Sequence, residues 1–232
     1  MRKLKADVAL KLLYKDTIQT EEDLLLDKNR WVLHCINVGI AAGRIAKKLN
    51  LDDDYATALG LVHDIGRKVN HPTHVEDGYK YMIDNGYPDE AIICITHSFI
   101  DDNIDLSAGG PPDNPDRYMY FKTLLEQHEL TLYDSIIQLC DLFCSEKGFT
   151  TLEARLLDLA HRKGIYEGTL EHFNSSLSLK ERIEQQMGCS FYQLFPEINP
   201  DDIERIPEDK EAVLKMVEEF NAPTHKLKPT NQ

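Results

Sequence analysis

The stretch Leu59-Gly60-Leu61-Val62-His63-Asp64-Ile65-Gly66-Arg67-Lys68 decides how this chain is read. An apolar run ends in an adjacent His and Asp, and a glycine and two cations follow at once. Ala58, Leu59, Leu61 and Val62 cover most faces of a helix, so 56–62 reads as its buried end. Gly66 reads as a stop just past that helix. A carboxylate delivered there cannot stay charged and unpaired, because desolvating it costs several kcal/mol. It needs a cation. Neutral imidazole beside carboxylate suits zinc, iron, manganese or nickel. For an isolated His-Asp pair, a hydrogen bond within the helix end is the competing reading.

Working outward, helical periodicity dominates and strand alternation is nearly absent. The segment 27–49 repeats Val32, Cys35, Ile36, Gly39, Ile40 and Ile45 at three- and four-residue intervals, with His34 on the border of that stripe. Lys47, Lys48 and Asn50 mark its end. Leu51-Asp52-Asp53-Asp54 opens the next helix, which carries His63 and Asp64. Residues 74–85 form a helix begun by His74 and closed by Asn85-Gly86. Another runs from Tyr87-Pro88 to His97. A turn-rich loop, 101–116, contains Gly109-Gly110-Pro111-Pro112, and Arg117 and Lys122 follow it. Those two cations read either as a solvated rim or as phosphate ligands when the loop closes. Leu130 to Phe143 is an apolar helix with Asp141 in its midst, and an ionised Asp there needs a partner. Further helices are expected over 6–15, 151–160, 179–187 and 207–220.

In this order, His34, His63-Asp64 and Asp141 resemble the signature of the HD superfamily of metal-dependent phosphohydrolases. The string His63-Asp64-Ile65-Gly66 is similar to its HDIG subtype. His74 and His97 resemble the two additional histidines of dinuclear members. His74-Val75-Glu76-Asp77-Gly78 matches a His-x-x-x-Gly element of the family, which favours His74 over the nearby His71. The resemblance covers roughly 31–148. It implies an all-α HD-domain helical bundle with additional C-terminal helices, and one or two divalent metals per chain (Fe, Mn, Zn, Ni or Mg). His34, His63, Asp64 and Asp141 would bind the first metal, with Asp64 bridging to a second on His74 and His97. Metal-bound hydroxide would be the nucleophile. The implied substrate is a small phosphorylated metabolite, a nucleotide or dinucleotide cleaved at a phosphoester or phosphoanhydride.

Asp64, Arg67 and Lys68 are the catalytic candidates, and Arg67, Lys68, Arg117 and Lys122 the substrate-binding ones. Related HDIG proteins often carry Lys directly after the glycine, whereas Arg67 stands here and Lys68 comes next. Arginine cannot serve as a general acid at ordinary pH. Arg67 is therefore read as a phosphate ligand, with a salt bridge to Asp64 as its competing role. Gly86-Tyr87-Pro88 repeats a signature of the cyclic-diguanylate phosphodiesterases of the superfamily, but it sits at a helix-to-helix turn and His97 is followed by Ser98. Two alternatives stay open: a dinuclear-iron oxygenase of HD type, and a non-catalytic, metal-stabilised sensing module.

Composition bounds the rest. At 232 residues, 42% hydrophobic and 28% charged, the chain suits one domain with a sizeable core. Expected divisions are a lead-in (1–30), the core (31–148), helices packed on it (149–220) and a disordered tail (221–232). A net charge of −14 argues against an extended nucleic-acid interface. No run has transmembrane length and no signal-peptide core opens the chain, so no membrane partner and a cytoplasmic location are expected. The five cysteines read as free thiols. Cys140 and Cys144 stand four apart, a spacing that would also admit a metal ligand pair.

Overall fold

A computed structural model describes residues 3–198 of the chain. Helices α1 (Ala6–Tyr14), α2 (Arg30–Lys48) and α3 (Asp53–Val62) come first. Then come α4 (His74–Asp84), α5 (Pro88–Ala91), α6 (Ile93–Thr96), α7 (Pro115–Gln127) and α8 (Leu132–Phe143). A small antiparallel hairpin, β1 (Cys144–Ser145) and β2 (Gly148–Phe149), separates these from α9 (Leu152–Lys163), α10 (Thr169–Met187) and α11 (Phe191–Leu194). Among the described residues the fold is all-α but for that hairpin. The expected helix 207–220 and the tail lie outside the described residues.

At the centre, α2 packs along α3 and against α8, because its apolar stripe is continuous from Val32 through Ile45. The α2–α3 approach is set by two glycines. A Cβ on Gly60 would lie 2.7 Å from both Cα and N of Gly39, so the two backbones touch with no side chain between them. This brings His34 and His63 side by side. Asp52 caps α3 by accepting the Tyr55 amide, as its acidic opening predicts. Further along, α9 and α10 pack on α8. Phe143 at the end of α8 meets Phe191 with ring centroids 4.0 Å apart and Phe195 at 5.2 Å.

Several boundaries differ from expectation. The helix expected over 27–49 opens as a 3₁₀ turn, Asp27–Asn29, before α2 begins. The 87–97 helix tightens at Ile92, whose carbonyl accepts the Ile95 amide three residues on, and splits into α5 and α6. Helix α10 starts at Thr169, ten residues before the apolar pattern announces it, because buried His172 and Ser176 anchor a stretch that is polar in sequence. Finally, α3 stops at Val62, and Asp64 lies past its end, before a 3₁₀ turn at Ile65–Lys68. Gly66 therefore does not cap a helix. A Cβ there would collide with the His74 carbonyl and the Gly78 amide, so the glycine lets α4 approach the turn.

Candidate metal centre

His34 comes from the second turn of α2, His63 from the end of α3, and Asp64 from the turn after it. His74 opens α4, His97 ends α6, and Asp141 sits in α8. Six residues spread over a hundred positions thus meet at the floor of one cleft. Two donor groups result, His34–His63–Asp141 and Asp64–His74–His97. In the first, His34 Nε2 lies 3.3 Å from His63 Nε2 and 2.8 Å from Asp141 Oδ1. Asp64 Oδ2 stands 3.9 Å from His34 Nε2 and 3.8 Å from His63 Nε2. In the second, Asp64 Oδ1 is 3.1 Å from His74 Nε2 and 3.5 Å from His97 Nε2. The two oxygens of one buried carboxylate, 2% exposed, therefore face different groups.

Backbone carbonyls orient three of the rings. Nδ1 of His63 donates to Gly60 O at 2.7 Å, Nδ1 of His74 to His71 O at 2.9 Å, and Nδ1 of His97 to Ile93 O at 3.0 Å. Each bond commits the proton to Nδ1 and leaves the Nε2 lone pair aimed inward. Asp64 Oδ1 consequently faces two lone pairs and has no hydrogen-bond partner among the described residues. Acceptors turned on one another in a buried site repel unless a cation lies between them. Ligand bonds of about 2.1 Å place neighbouring donor atoms roughly 3.0–3.4 Å apart, and the spacings here bracket that range. The donor set fits divalent ions.

The electrostatics of both carboxylates, His34 and His74 agree, while His63 is drawn up against burial by Asp64 and Asp141. Burial favours the neutral form of Asp64, but Arg67 and the surrounding histidines overcome it and hold the carboxyl well below its ordinary value. Asp141 is likewise held down against burial, by His34 and His63. Burial pushes His74 down to about 4, against the pull of Asp64, which keeps its imidazole neutral at ordinary pH. Ionised carboxylates and neutral imidazoles are the forms that bind a metal.

The cations divide. Arg67 Nε donates to Asp64 Oδ2, and its Nη1 meets the His71 ring, so the salt bridge to Asp64 exists. Arg117 lines the cleft, pairs with Glu76 at 2.9 Å and lies over the Phe121 ring. Lys68 and Lys122 do not fit the roles expected of them. Lys68 turns away to the carbonyls of Leu12, at 2.7 Å, and Lys15 at the end of α1. Burial there lowers its ammonium to about 8. Lys122 does not line the cleft and lies 3.9 Å from Glu126, one turn along α7. Cys140 and Cys144 are buried free thiols outside both donor groups. Residues of α9, namely Arg155, Arg162 and Lys163, line the cleft instead. Sequence reading missed them. Their i, i+7, i+8 spacing in an amphipathic segment was the available signal, but nothing local said which wall that face would form.

An all-α domain with two adjoining His/Asp donor groups at the base of a cleft defines a metal-binding bundle. Residues 32–145 match the family model of the HD domain. The chain carries an HD domain and through it belongs to the HD superfamily. Among curated proteins it is similar to ribonuclease Y of Lactobacillus acidophilus, 38% identical over 65 residues, which is 27% of this chain and 12% of that protein. The ribonuclease Y of Thermus thermophilus is 38% identical over 73 residues, 30% of this chain and 13% of the relative. That of Lactobacillus helveticus is 46% identical over 48 residues, 19% and 9%. The matches thus span about an eighth or less of these relatives. No solved structure gives a significant match. No helix among the described residues is long and apolar enough to cross a membrane.

Proposed function

We propose that the chain is a metal-dependent phosphohydrolase that cleaves a phosphoester or phosphoanhydride of a small metabolite, a nucleotide or dinucleotide, in the cytoplasm. The observation that carries this reading is Asp64, whose two oxygens face two imidazole groups at the floor of a cation-rich cleft. His34, His63, Asp64 and Asp141 would hold one divalent ion, and Asp64, His74 and His97 a second. Such ions supply Lewis acidity and acidify water, which is what phosphoryl transfer to water requires at neutral pH. The chain's own groups do the rest. Carbonyls of Gly60, His71 and Ile93 keep three imidazoles in the ligating tautomer. Arg67 keeps Asp64 ionised and oriented, and its remaining Nη2 is left to reach a substrate phosphate. Arg117, whose buried Nε has no hydrogen-bond partner among the described residues, offers a second donor. The cleft measures about 1040 Å³, at the upper end of the range for small-molecule sites. Five cysteines without a disulfide, four of them buried, suit a reducing compartment.

The test pairs metal content of the purified protein with phosphate release across nucleotides and dinucleotides. About two ions per chain with release from some substrates is the expected result. Hydrolysis retained by a His63→Ala, Asp64→Ala double variant overturns the reading.

A further inference from the structure

The wall of the cleft opposite in sign to the protein as a whole belongs to α9. The chain carries a net charge of −14. Yet eight Lys and Arg line the cleft against six Asp and Glu, two of the latter being Asp64 and Asp141 of the donor groups. On α9, Ala154, Arg155, Asp158, Leu159, Arg162 and Lys163 all line it, a recurrence at three- and four-residue intervals that turns one helix face into the cavity. Three of those six are cations and one is a carboxylate. Asp158 accepts from Arg155 Nη1 at 2.9 Å and from Arg162 Nη2 at 2.8 Å, so a single anion is shared between two guanidinium groups.

Positive charge is left over, and so is hydrogen-bonding capacity. Arg155 Nε is buried with no partner among the described residues. Lys163 lines the cleft as well, and partial desolvation and then the field of Arg67 lower its ammonium. The connection after α9 is braced as well: Tyr166 Oη donates to Ser107 O at 2.5 Å, tying that connection to the glycine-rich loop across the cleft rim. Buried donors held in place without acceptors are costly unless something fills them. A planar guanidinium fork beside an ammonium matches phosphate oxygens.

We propose that this face of α9 is a second anion subsite, which holds a phosphate linked to the one undergoing cleavage, so that the substrate carries two or more joined phosphates and is not a simple monoester. The proposal rests on the phosphohydrolase reading above for the position of the cleaved phosphate. The second phosphate can come from the phosphoanhydride chain of a nucleoside polyphosphate or from the phosphodiester chain of a short oligonucleotide.

Two experiments on the full, metal-loaded chain test it. Calorimetry with inorganic tripolyphosphate and inorganic phosphate reads the subsite without turnover. Tripolyphosphate is expected to bind at least ~10-fold more tightly than phosphate, a gap of the size one added charged contact gives. An Arg162→Gln, Lys163→Glu variant is expected to lose that gap. Both residues are exposed at the end of α9, so the core is untouched. Lys163→Arg is expected to keep the gap, which separates charge loss from misfolding. Kinetics with p-nitrophenyl phosphate, ATP and an RNA pentamer then identify the source. A preference for ATP or for the pentamer over the monoester, reduced by the double variant, supports the subsite and assigns its chain chemistry. Equal kcat/KM for all three, or a variant that keeps the tripolyphosphate preference, overturns it. If no substrate is cleaved but the variant loses tripolyphosphate binding, the hydrolase reading fails and the subsite stands.

Discussion

His97 and Asp64 show how much one side chain decides here. His97 belongs to the second donor group alone, held by Ile93 O on one ring nitrogen and approached by Ser98 Oγ at 3.0 Å on the other. Replacing it with Ala should leave the His34–His63–Asp141 group intact and remove one of the ions. We expect metal content to fall from about two ions to about one. Activity should drop by more than ~100-fold, beyond the ~10–100-fold effect of groups that only orient ligands. Elemental analysis and kcat measure both, and two ions retained in the variant would sink the assignment of His97. Asp64 is less separable. Removing its charge leaves Arg67 buried without its carboxylate, a loss of about 3–5 kcal/mol for a buried pair, so its variants report stability and metal binding together.

At the scale of elements, the α2–α3 contact is the part that sets the distance between His34 and His63. Gly60→Ala illustrates two opposing effects. Helix propensity alone favours Ala by about 1 kcal/mol. The added Cβ would lie 2.7 Å from the Gly39 backbone, and overpacking of this kind costs about 1–3 kcal/mol. The second effect should win. Chemical denaturation is expected to show net destabilisation with weaker metal binding, and a stabilised variant would contradict the packing account. Helix α10 contributes a pH dependence through His172, which is buried against the core; burial lowers it from 6.5 to about 4 against the pull of Asp141. The native state then binds fewer protons than the unfolded chain between those values. Stability should be full above pH ~6.5 and decline as pH falls toward ~4, by about 3 kcal/mol at most. A His172→Leu variant should flatten that limb in denaturation midpoints measured from pH 7 to 4. An unchanged slope would place the acid sensitivity elsewhere.

For the whole molecule, the metal centre is a tie between α2, the turn after α3, α4, α6 and α8. Ions that bind the folded chain and not the unfolded one add about 2.7 kcal/mol when present at a hundred times their dissociation constant. For a chain of this size that is roughly 5–10 °C in Tm. Chelation should lower Tm by that amount and metal addition should restore it, as read by scanning calorimetry. An unshifted transition would mean that the donors do not hold an ion in the native state. The surface and the cleft also differ in sign. An acidic exterior with a cationic cavity disfavours wide polyanion interfaces while concentrating a small anion at the site.

The sequence by itself determined the all-α class and the identity of the six ligand-type residues. Helical period marks α2, α4 and α8 plainly, and His63-Asp64, placed after an apolar run, already demands a cation. The tight approach around Gly66 was misread as a helix stop, because a glycine needed for close packing looks the same in sequence as one needed for a cap. Start points such as that of α10 were hidden because a buried His or Ser is polar by composition. Only the tertiary structure decided which cations face the ligands. Lys68 follows Asp64 closely in sequence but points to backbone carbonyls of α1 and its end, and Lys122 sits beside Glu126, whereas Arg155, Arg162 and Lys163 arrive from α9. Which way a helix face turns is set by packing against elements far along the chain, and no local pattern carries that information.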